Sequence, residues 1–225
     1  MTGKAIGEIL PYAVAASITV SAIVGIILML VTPKAKTNGT AFAVGYVLGF
    51  ALVGTIVIVL AGGKDYSSGS GPTQTVSIIK LLLGLLLLVG AVRQWRGRPR
   101  EGETPKMPKW MGAIDSFTAG KSFGLGVLLS AVNPKNLAMS VATGLAIAQA
   151  AIPTGQEAVV LIIYIVIGAS TVLAPVVVYF AMADRAAAIL GGWRKWLEAN
   201  NAVVTAVVLL VLAAVLIGHG ITGLS

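Results

Sequence analysis

Long apolar stretches separated by short polar breaks occupy most of the chain. Each stretch approaches or exceeds the roughly 20 residues that a helix needs to cross the hydrocarbon core of a bilayer. The pattern predicts an all-α, polytopic membrane protein whose six transmembrane helices form a single transmembrane domain, residues 1–225. The six predicted spans are Ile9 to Val31, Ala41 to Ala61, Val76 to Val92, Ser122 to Ala148, Ala158 to Ala181 and Ala202 to Gly218.

The composition supports the same class of protein. Hydrophobic residues make up 57% of the chain, charged residues make up 11%, and the mean hydropathy is +0.94. A soluble domain could not build a polar surface from so few charges. The chain has no cysteine, so disulfides and thiolate metal sites are excluded.

Basic residues are distributed unequally between the two sides of the predicted bundle. The connections after the first, third and fifth spans hold twelve Lys and Arg residues, whereas the opposite side holds only Lys4 and Lys64. Basic loops stay in the cytoplasm, so we expect both termini outside the inner (plasma) membrane and the long loop 93–121 inside. The same asymmetry explains the net charge of +8, and no nucleic-acid partner is expected.

One motif interrupts the fourth span near its middle. In Asn133-Pro134-Lys135-Asn136, proline removes a backbone donor and disfavours helix before it, so the motif predicts two half-helices. The second half-helix would present unpaired N–H groups and a positive dipole end, and Lys135 would add a full charge. A lysine at the bilayer centre costs about 2.5–3.5 kcal/mol and needs a partner or a cavity. Alternatively, the break lies at a membrane surface, where Lys135 extends to the headgroups.

The order of the spans predicts a 3+3 inverted repeat. Three spans are followed by three of opposite orientation, so a break in the fourth span should have a counterpart in the first. Thr19 and Ser21, at the centre of the first span, are the matching polar residues. The alternative is that their hydroxyls bond the backbone of their own helix.

Other polar positions favour structural roles. Lys80 is expected to extend to the outer headgroups, and Gly45, Gly49 and Gly54 are expected to form a close helix-packing seam. Helical spacing of tryptophans and basic residues over 184–200 predicts a short helix lying on the inner surface. All eight acids lie in loops or at span ends, so a metal site, a cofactor and an enzyme activity are not expected.

Several motifs resemble those of the GAP family, the glycolipid-addressing membrane proteins of the lysine-exporter superfamily. The resemblance implies six spans, an inverted repeat, and export or addressing of lipids or small solutes to the cell surface, typically in actinobacteria. Such proteins usually carry a proline pair at the centre of the first span, where this chain reads Thr19-Val20-Ser21-Ala22. That difference favours a continuous first span and opposes the symmetric double break. The matching motifs are Leu10-Pro11, Thr32-Pro33-Lys34-Ala35, Asn38-Gly39, Asn133-Pro134-Lys135-Asn136-Leu137, Trp193, Trp196-Leu197-Glu198 and Asn200-Asn201-Ala202-Val203.

These observations predict a transporter that works by alternating access around a cavity between spans one and four. The expected partners are membrane lipids and a cargo that is an anionic or polar lipid or a small anionic solute, and a homo-oligomer is compatible with the sequence. The alternative is a non-transporting scaffold protein of a lipid synthesis or export complex. The predicted cargo-binding residues are Asn133, Pro134, Lys135, Asn136, Thr19 and Ser21.

Overall fold

The computed structural model describes residues 2–62, 74–97, 113–114, 116–182 and 185–224. These residues are almost entirely helical and contain no β-strand, so the predicted all-α class is confirmed for them. A π-helical segment, Leu128–Val132, continues helix α5 toward α6. The helices are α1 (Thr2–Ser17), α2 (Val20–Leu30), α3 (Ala35–Gly62), α4 (Gln74–Arg96), α5 (Ala119–Val127), α6 (Pro134–Gln149), α7 (Thr154–Met182) and α8 (Ala186–Thr222).

Four of the described helices, α3, α4, α7 and α8, are long and apolar enough to cross a membrane. Helices α1 and α2, bent by 52° at their junction, together form a fifth candidate. The predicted fourth span is divided between α5 with its π segment and α6, which at 1.5 Å per residue are only about 21 Å and 24 Å long. Neither half alone spans a hydrocarbon core of about 30 Å. Six complete spans and the 3+3 repeat therefore stay predictions.

The first span is broken at its centre. Helix α1 ends at Ser17 and α2 begins at Val20, while Thr19 has φ −111° and ψ 87°, outside the helical region. A continuous first span, favoured by the missing proline pair, is therefore wrong. The break needs no proline, because side chains from other helices bond the backbone groups that have lost their helical partners. Thr171, for example, donates its hydroxyl proton to the Ser17 carbonyl.

The predicted glycine seam on α3 is confirmed. A Cβ added to Gly45 would collide with the backbone carbonyl of Phe123, and one on Gly49 would collide with the Ser130 hydroxyl, both on the α5 side. A Cβ on Gly54 would lie 2.5 Å from Leu161 Cδ1 of α7. Since real Cβ atoms do not approach so closely, the small residues are what let α3 pack against α5 and α7.

Helices α4 and α8 form a second closely packed pair. A Cβ on Gly84 of α4 would lie 2.7 Å from Ile217 Cγ1, and one on Gly220 of α8 would lie 2.9 Å from Leu81 Cβ. The contact is reciprocal, since each helix offers a glycine to a large side chain of the other. This packing joins α4, which follows α3 in the chain, to α8, which follows α7.

A separate surface helix over 184–200 is not present. Asp184 lies outside the described residues, and the remainder forms the first part of α8, which continues unbroken for 37 residues to Thr222. The Asn200-Asn201 pair does not end the helix because its side chains bond within it. Asn200 Nδ2 donates to the Trp196 carbonyl at 2.8 Å, and Asn201 Oδ1 accepts from Thr205 at 3.2 Å.

Candidate functional site

Asn133 creates the break that the sequence predicts in the fourth span. With φ −56° and ψ 121° it leaves the helical region, and its side-chain oxygen accepts the backbone N–H of Lys135 at 3.1 Å. Pro134 occupies the first turn of α6, where its missing N–H removes no helical hydrogen bond. The pair thus acts as a stop and a start signal, and α6 presents its N-terminal turn inside the bundle.

Lys135 links this break to the break in the first span. Its Nζ donates to the Ala15 carbonyl at 2.6 Å and to the Ile18 carbonyl at 3.1 Å, and the residue is only 8% exposed. These carbonyls lie at the C-terminal end of α1, where the helix dipole is negative, and that of Ala15 also accepts the Ile18 N–H at 3.3 Å. The lysine is therefore compensated by backbone rather than by an acid, and an ammonium keeps a third donor beyond these two bonds.

Asn136 binds the same region through its amide and is completely buried. Its Nδ2 donates to the Leu129 carbonyl at 2.9 Å and to the Tyr46 hydroxyl at 3.2 Å. Its Oδ1 lies 3.0 Å from the Thr19 hydroxyl, which also lies 2.9 Å from the Ala16 carbonyl. A hydroxyl has one proton, so Thr19 can serve either its own helix or Asn136, and both readings of Thr19 from the sequence describe real contacts.

The structure brings only some of the six predicted site residues together. Lys135, Asn136 and Thr19 meet in one buried cluster, and Asn133 shapes it from the helix cap. Pro134 is exposed on the outside of the break, and Ser21 lies in the first turn of α2. Neither makes a hydrogen bond to the cluster within the part of the chain that the structure describes. Pro134 contributes to the break together with Asn133, and binding roles for Pro134 and Ser21 stay predictions.

Tyrosine and serine residues of the site were missed from the sequence. Tyr46 of α3 and Tyr164 of α7 are fully buried, and Ser140 of α6 lies 2.9 Å from the Tyr164 hydroxyl. Spacing could have revealed part of this set. Asn136, Ser140 and Thr143 recur at i, i+4 and i+7 and so form a polar stripe on one face of α6.

Lys80 forms a second polar cluster and does not extend to the headgroups as expected. It is 3% exposed, and its Nζ lies 3.2 Å from Glu8 Oε1 and 3.3 Å from Gln149 Oε1. These oxygens hold the ammonium inside the protein because a paired charge needs no contact with the headgroups. A polar cavity of about 280 Å³ lies beside the cluster, lined by Lys4, Ala5, Glu8, Gln149 and Ala150.

The two polar clusters lie at different levels of α6. Lys135 is in its first turn and Gln149 is its last residue, so about 21 Å of helix separates them at 1.5 Å per residue. Ser140 and Thr143 of the polar stripe lie between. At about 3.6 residues per turn, however, Gln149 projects from a different face of α6 from the stripe, which ends at Thr143.

Residues 9–222 match the family described as Sap, sulfolipid-1-addressing protein. None of the curated proteins and none of the solved structures matches the chain. The family match covers every residue of the buried cluster, both helix breaks and the polar stripe. Together with the long apolar helices, it marks a multi-pass membrane protein with a lipid-related role.

Proposed function

The chain belongs to this sulfolipid-1-addressing family, and from that premise we propose that it moves an anionic, glycolipid-type lipid across the membrane by alternating access. It acts as a transporter in this proposal, without an enzymatic step. One observation carries the proposal: the Lys135 ammonium bridges the broken end of α1 to the broken start of α6 at 2.6 Å and 3.1 Å.

That bridge is suited to control by an anion. The Ala15 and Ile18 carbonyls hold the ammonium in the described conformation, and a sulfate or phosphate oxygen would bind it more strongly because the acceptor is charged. The N-terminal turn of α6 favours negative charge at the same point. An anionic headgroup would therefore compete for Lys135 and release the end of α1.

Release of the bridge would let the two helix breaks act as hinges, one between α1 and α2 and the other at the start of α6. Thr19 already has two alternative acceptors, Ala16 and Asn136, so its hydroxyl can keep a bond whether or not α1 stays against α6. A ligand shifts a conformational equilibrium only through different affinities for the two states. Here the affinities differ because a headgroup can use all three donors of Lys135 only after the α1 carbonyls have released two of them.

The polar stripe of α6 gives the headgroup a route away from the break. Asn136, Ser140 and Thr143 offer hydrogen-bonding groups in an otherwise apolar bundle, and the cavity beside Lys80 lies at the far end of the same helix. Polar residues that face the interior of a membrane bundle commonly mark a substrate pathway. We propose that the headgroup follows this face while the lipid tails stay in the bilayer.

The proposed topology is six spans in a 3+3 inverted repeat within the plasma membrane, as in the lysine-exporter superfamily. Each half would begin with a broken helix, α1 with α2 or α5 with α6, and continue with two long helices. This order supports the repeat; α3 and α7 are nearly equal in length, 28 and 29 residues, whereas α4 and α8 have 23 and 37 residues. Loop charge supports termini outside and the loop 93–121 in the cytoplasm.

The scaffold alternative is favoured by one observation. Lys135 and Asn136 are both buried, and in the described conformation the cluster is closed around them. A protein that only assembles a lipid-export complex would need nothing more than this packed centre. Transport activity of the isolated protein separates the two functions, since a scaffold has none.

Proteoliposomes that contain an NBD-labelled sulfated glycolipid test the proposal. Dithionite bleaches only the outer leaflet, so the rate of the slow bleaching phase reports movement between leaflets. Lys135→Met should lower that rate about tenfold or more, because a charge-assisted hydrogen bond contributes about 1.5–3 kcal/mol. Lys135→Arg should keep partial activity since it keeps the charge.

Lys121→Met is the matched control, because Lys121 is exposed at the start of α5. Rates are compared per folded protein, measured by size-exclusion chromatography. Equal rates for Lys135→Met and the parent would refute the central anion site. A parent protein that moves no sulfated lipid would favour the scaffold function.

A further inference from the structure

Two buried lysines hold the same helix at two levels. Lys135 bonds the carbonyl of Ala15 near one end of α1, and Lys80 bonds the carboxylate of Glu8, seven residues nearer the start of that helix. At 1.5 Å per residue, the two contacts lie about 10 Å apart along α1. Release of Lys135 alone would therefore leave α1 fixed to the bundle at Glu8.

Lys80 is the partner that stays in place when the pair separates. It is 3% exposed, and the helix that carries it, α4, packs along α8. Besides the Glu8 carboxylate, its Nζ donates to the side-chain oxygen of Gln149 on α6 at 3.3 Å. If α1 moved away, the ammonium would keep this second acceptor. A buried cation that retains a hydrogen-bond partner avoids the full cost of an unpaired charge.

Glu8 is the partner that can leave. Its side chain is 31% exposed, and it lines the polar cavity of about 280 Å³ together with Lys4. A carboxylate that already faces a polar cavity can be solvated there after it separates from the ammonium. Separation of this pair therefore costs less than separation of two fully enclosed charges. The contact is strong enough to hold α1 and asymmetric enough to open.

Neutral contacts complete the attachment of α1 at this level. Thr2 bonds Gln156 of α7, and the Tyr12 hydroxyl lies 3.1 Å from His219 Nδ1 of α8. Neutral hydrogen bonds are roughly half as strong as charge-assisted ones. Alanines make up much of the buried face and bury little apolar area, so the two lysine contacts are a large share of what holds the helix. These alanines are Ala5, Ala13, Ala15 and Ala16.

We propose that α1 is a gate and that the Glu8–Lys80 ion pair is its latch. The inference rests on the proposed function and adds a step to it. An anion at Lys135 frees the broken end of α1, and separation of Glu8 from Lys80 then lets α1 swing about Thr19, away from α6. The opening runs from the polar cavity to the Lys135 site, on the side where the proposed topology places both termini. Cargo binding and gate opening are thereby separate events.

Cysteine accessibility tests the gate, because the natural chain has no cysteine. Ala13→Cys places a thiol on the completely buried face of α1, where a charged methanethiosulfonate reagent reaches it only when α1 opens. Lipid nanodiscs expose both sides of the protein, so the orientation of the bundle does not affect the measurement. When opening is fast relative to labelling, the labelling rate follows the population of the open state. Glu8→Gln and Lys80→Met should each raise that rate about tenfold or more, since each removes a charge-assisted hydrogen bond.

Lys4→Met is the matched control, because it removes a charge from the same cavity and leaves the ion pair intact. Its labelling rate should equal that of the parent. Ala22→Cys, equally buried on α2 beyond the break, separates gate opening from unfolding and should stay protected in every variant. Should Glu8→Gln fail to give folded protein, Glu8→Asp takes its place with a smaller expected rise, since it withdraws the carboxylate by one methylene.

Equal labelling of Ala13→Cys in the parent, Glu8→Gln and Lys80→Met would overturn the latch. So would labelling of Ala22→Cys that rises in step with that of Ala13→Cys, because the variants would then loosen the whole bundle. The measurement reports opening and not lipid movement. Transport that depends on Lys135 together with unchanged labelling would reject the latch alone. Labelling that rises in a protein that moves no sulfated lipid would reject transport alone.

Discussion

The Lys135 ammonium donates to the Ala15 carbonyl at 2.6 Å, across 120 residues of sequence. A cation at the start of one helix thus closes the end of another, with no carboxylate at the contact. Both partners are broken helices, and each break exposes the groups that the other needs. The cost of burying the charge is offset by these two backbone acceptors at the first break.

Replacing Lys135 by methionine should destabilise the protein. The change removes a buried charge, which relieves about 2.5–3.5 kcal/mol, but it also removes two charge-assisted hydrogen bonds of about 1.5–3 kcal/mol each. The Ile18 carbonyl would then lose its partner and the Ala15 carbonyl would keep only the Ile18 N–H at 3.3 Å, so a net loss of about 1–2 kcal/mol is expected. Thermal unfolding in detergent measures it. Lys121→Met should leave the unfolding temperature unchanged, and an unchanged value for Lys135→Met would contradict the bridging role.

The fourth-span break could be predicted because its cause is local. Asn133 and Pro134 change backbone geometry wherever they occur in a helix, and the structure places the break at that motif. The glycine seam was predictable for a similar reason, since residues without a side chain on one helix face imply a close neighbour.

The partner of Lys135 could not be predicted, because backbone carbonyls carry no sequence signature. A search of the sequence for an acid that could pair with Lys135 does not identify Ala15 or Ile18. The break at Ser17 to Thr19 was predicted only from the inverted repeat and was opposed by the missing proline pair, because the contacts that hold it come from Lys135 and Thr171, both distant in sequence. Lys80 was misjudged in the same way, because its pairing with Glu8 depends on tertiary structure.

Glycines of α5 should differ sharply in their tolerance of a methyl group. A Cβ on Gly126 would collide with the Phe42 carbonyl, whereas a Cβ on Gly120 meets nothing within 4 Å. Gly126→Ala should therefore push α5 away from α3 and cost about 1–3 kcal/mol. Gly120→Ala, the control on the same helix, should stabilise by up to about 1 kcal/mol. Unfolding temperatures in detergent compare the two, and equal effects would argue against the α3 to α5 contact.

The Lys80 and Glu8 pair should respond asymmetrically to mutation. The Lys80 side chain is 4% exposed and that of Glu8 is 31% exposed, so removing the acid leaves the more deeply buried charge unpaired. Glu8→Gln should cost about 3 kcal/mol, and Lys80→Met should cost less because water can still solvate Glu8. A double-mutant cycle with thermal unfolding measures the coupling. Lys4→Met, at the exposed side of the same cavity, is the control, and a larger cost for Lys80→Met would reverse the assignment of the buried partner.

The orientation of the bundle can be tested with single cysteines, because the natural chain has none to remove. Arg96 ends α4 next to the long basic loop, and Gln156 lies in the first turn of α7; both are exposed. Loop charge places the first inside the cell and the second outside. A membrane-impermeant maleimide added to whole cells should therefore label Gln156→Cys and spare Arg96→Cys. Labelling of both after cell lysis shows that each cysteine is reactive. The opposite pattern in intact cells would invert the topology, and the cavity beside Lys80 would then open to the cytoplasm.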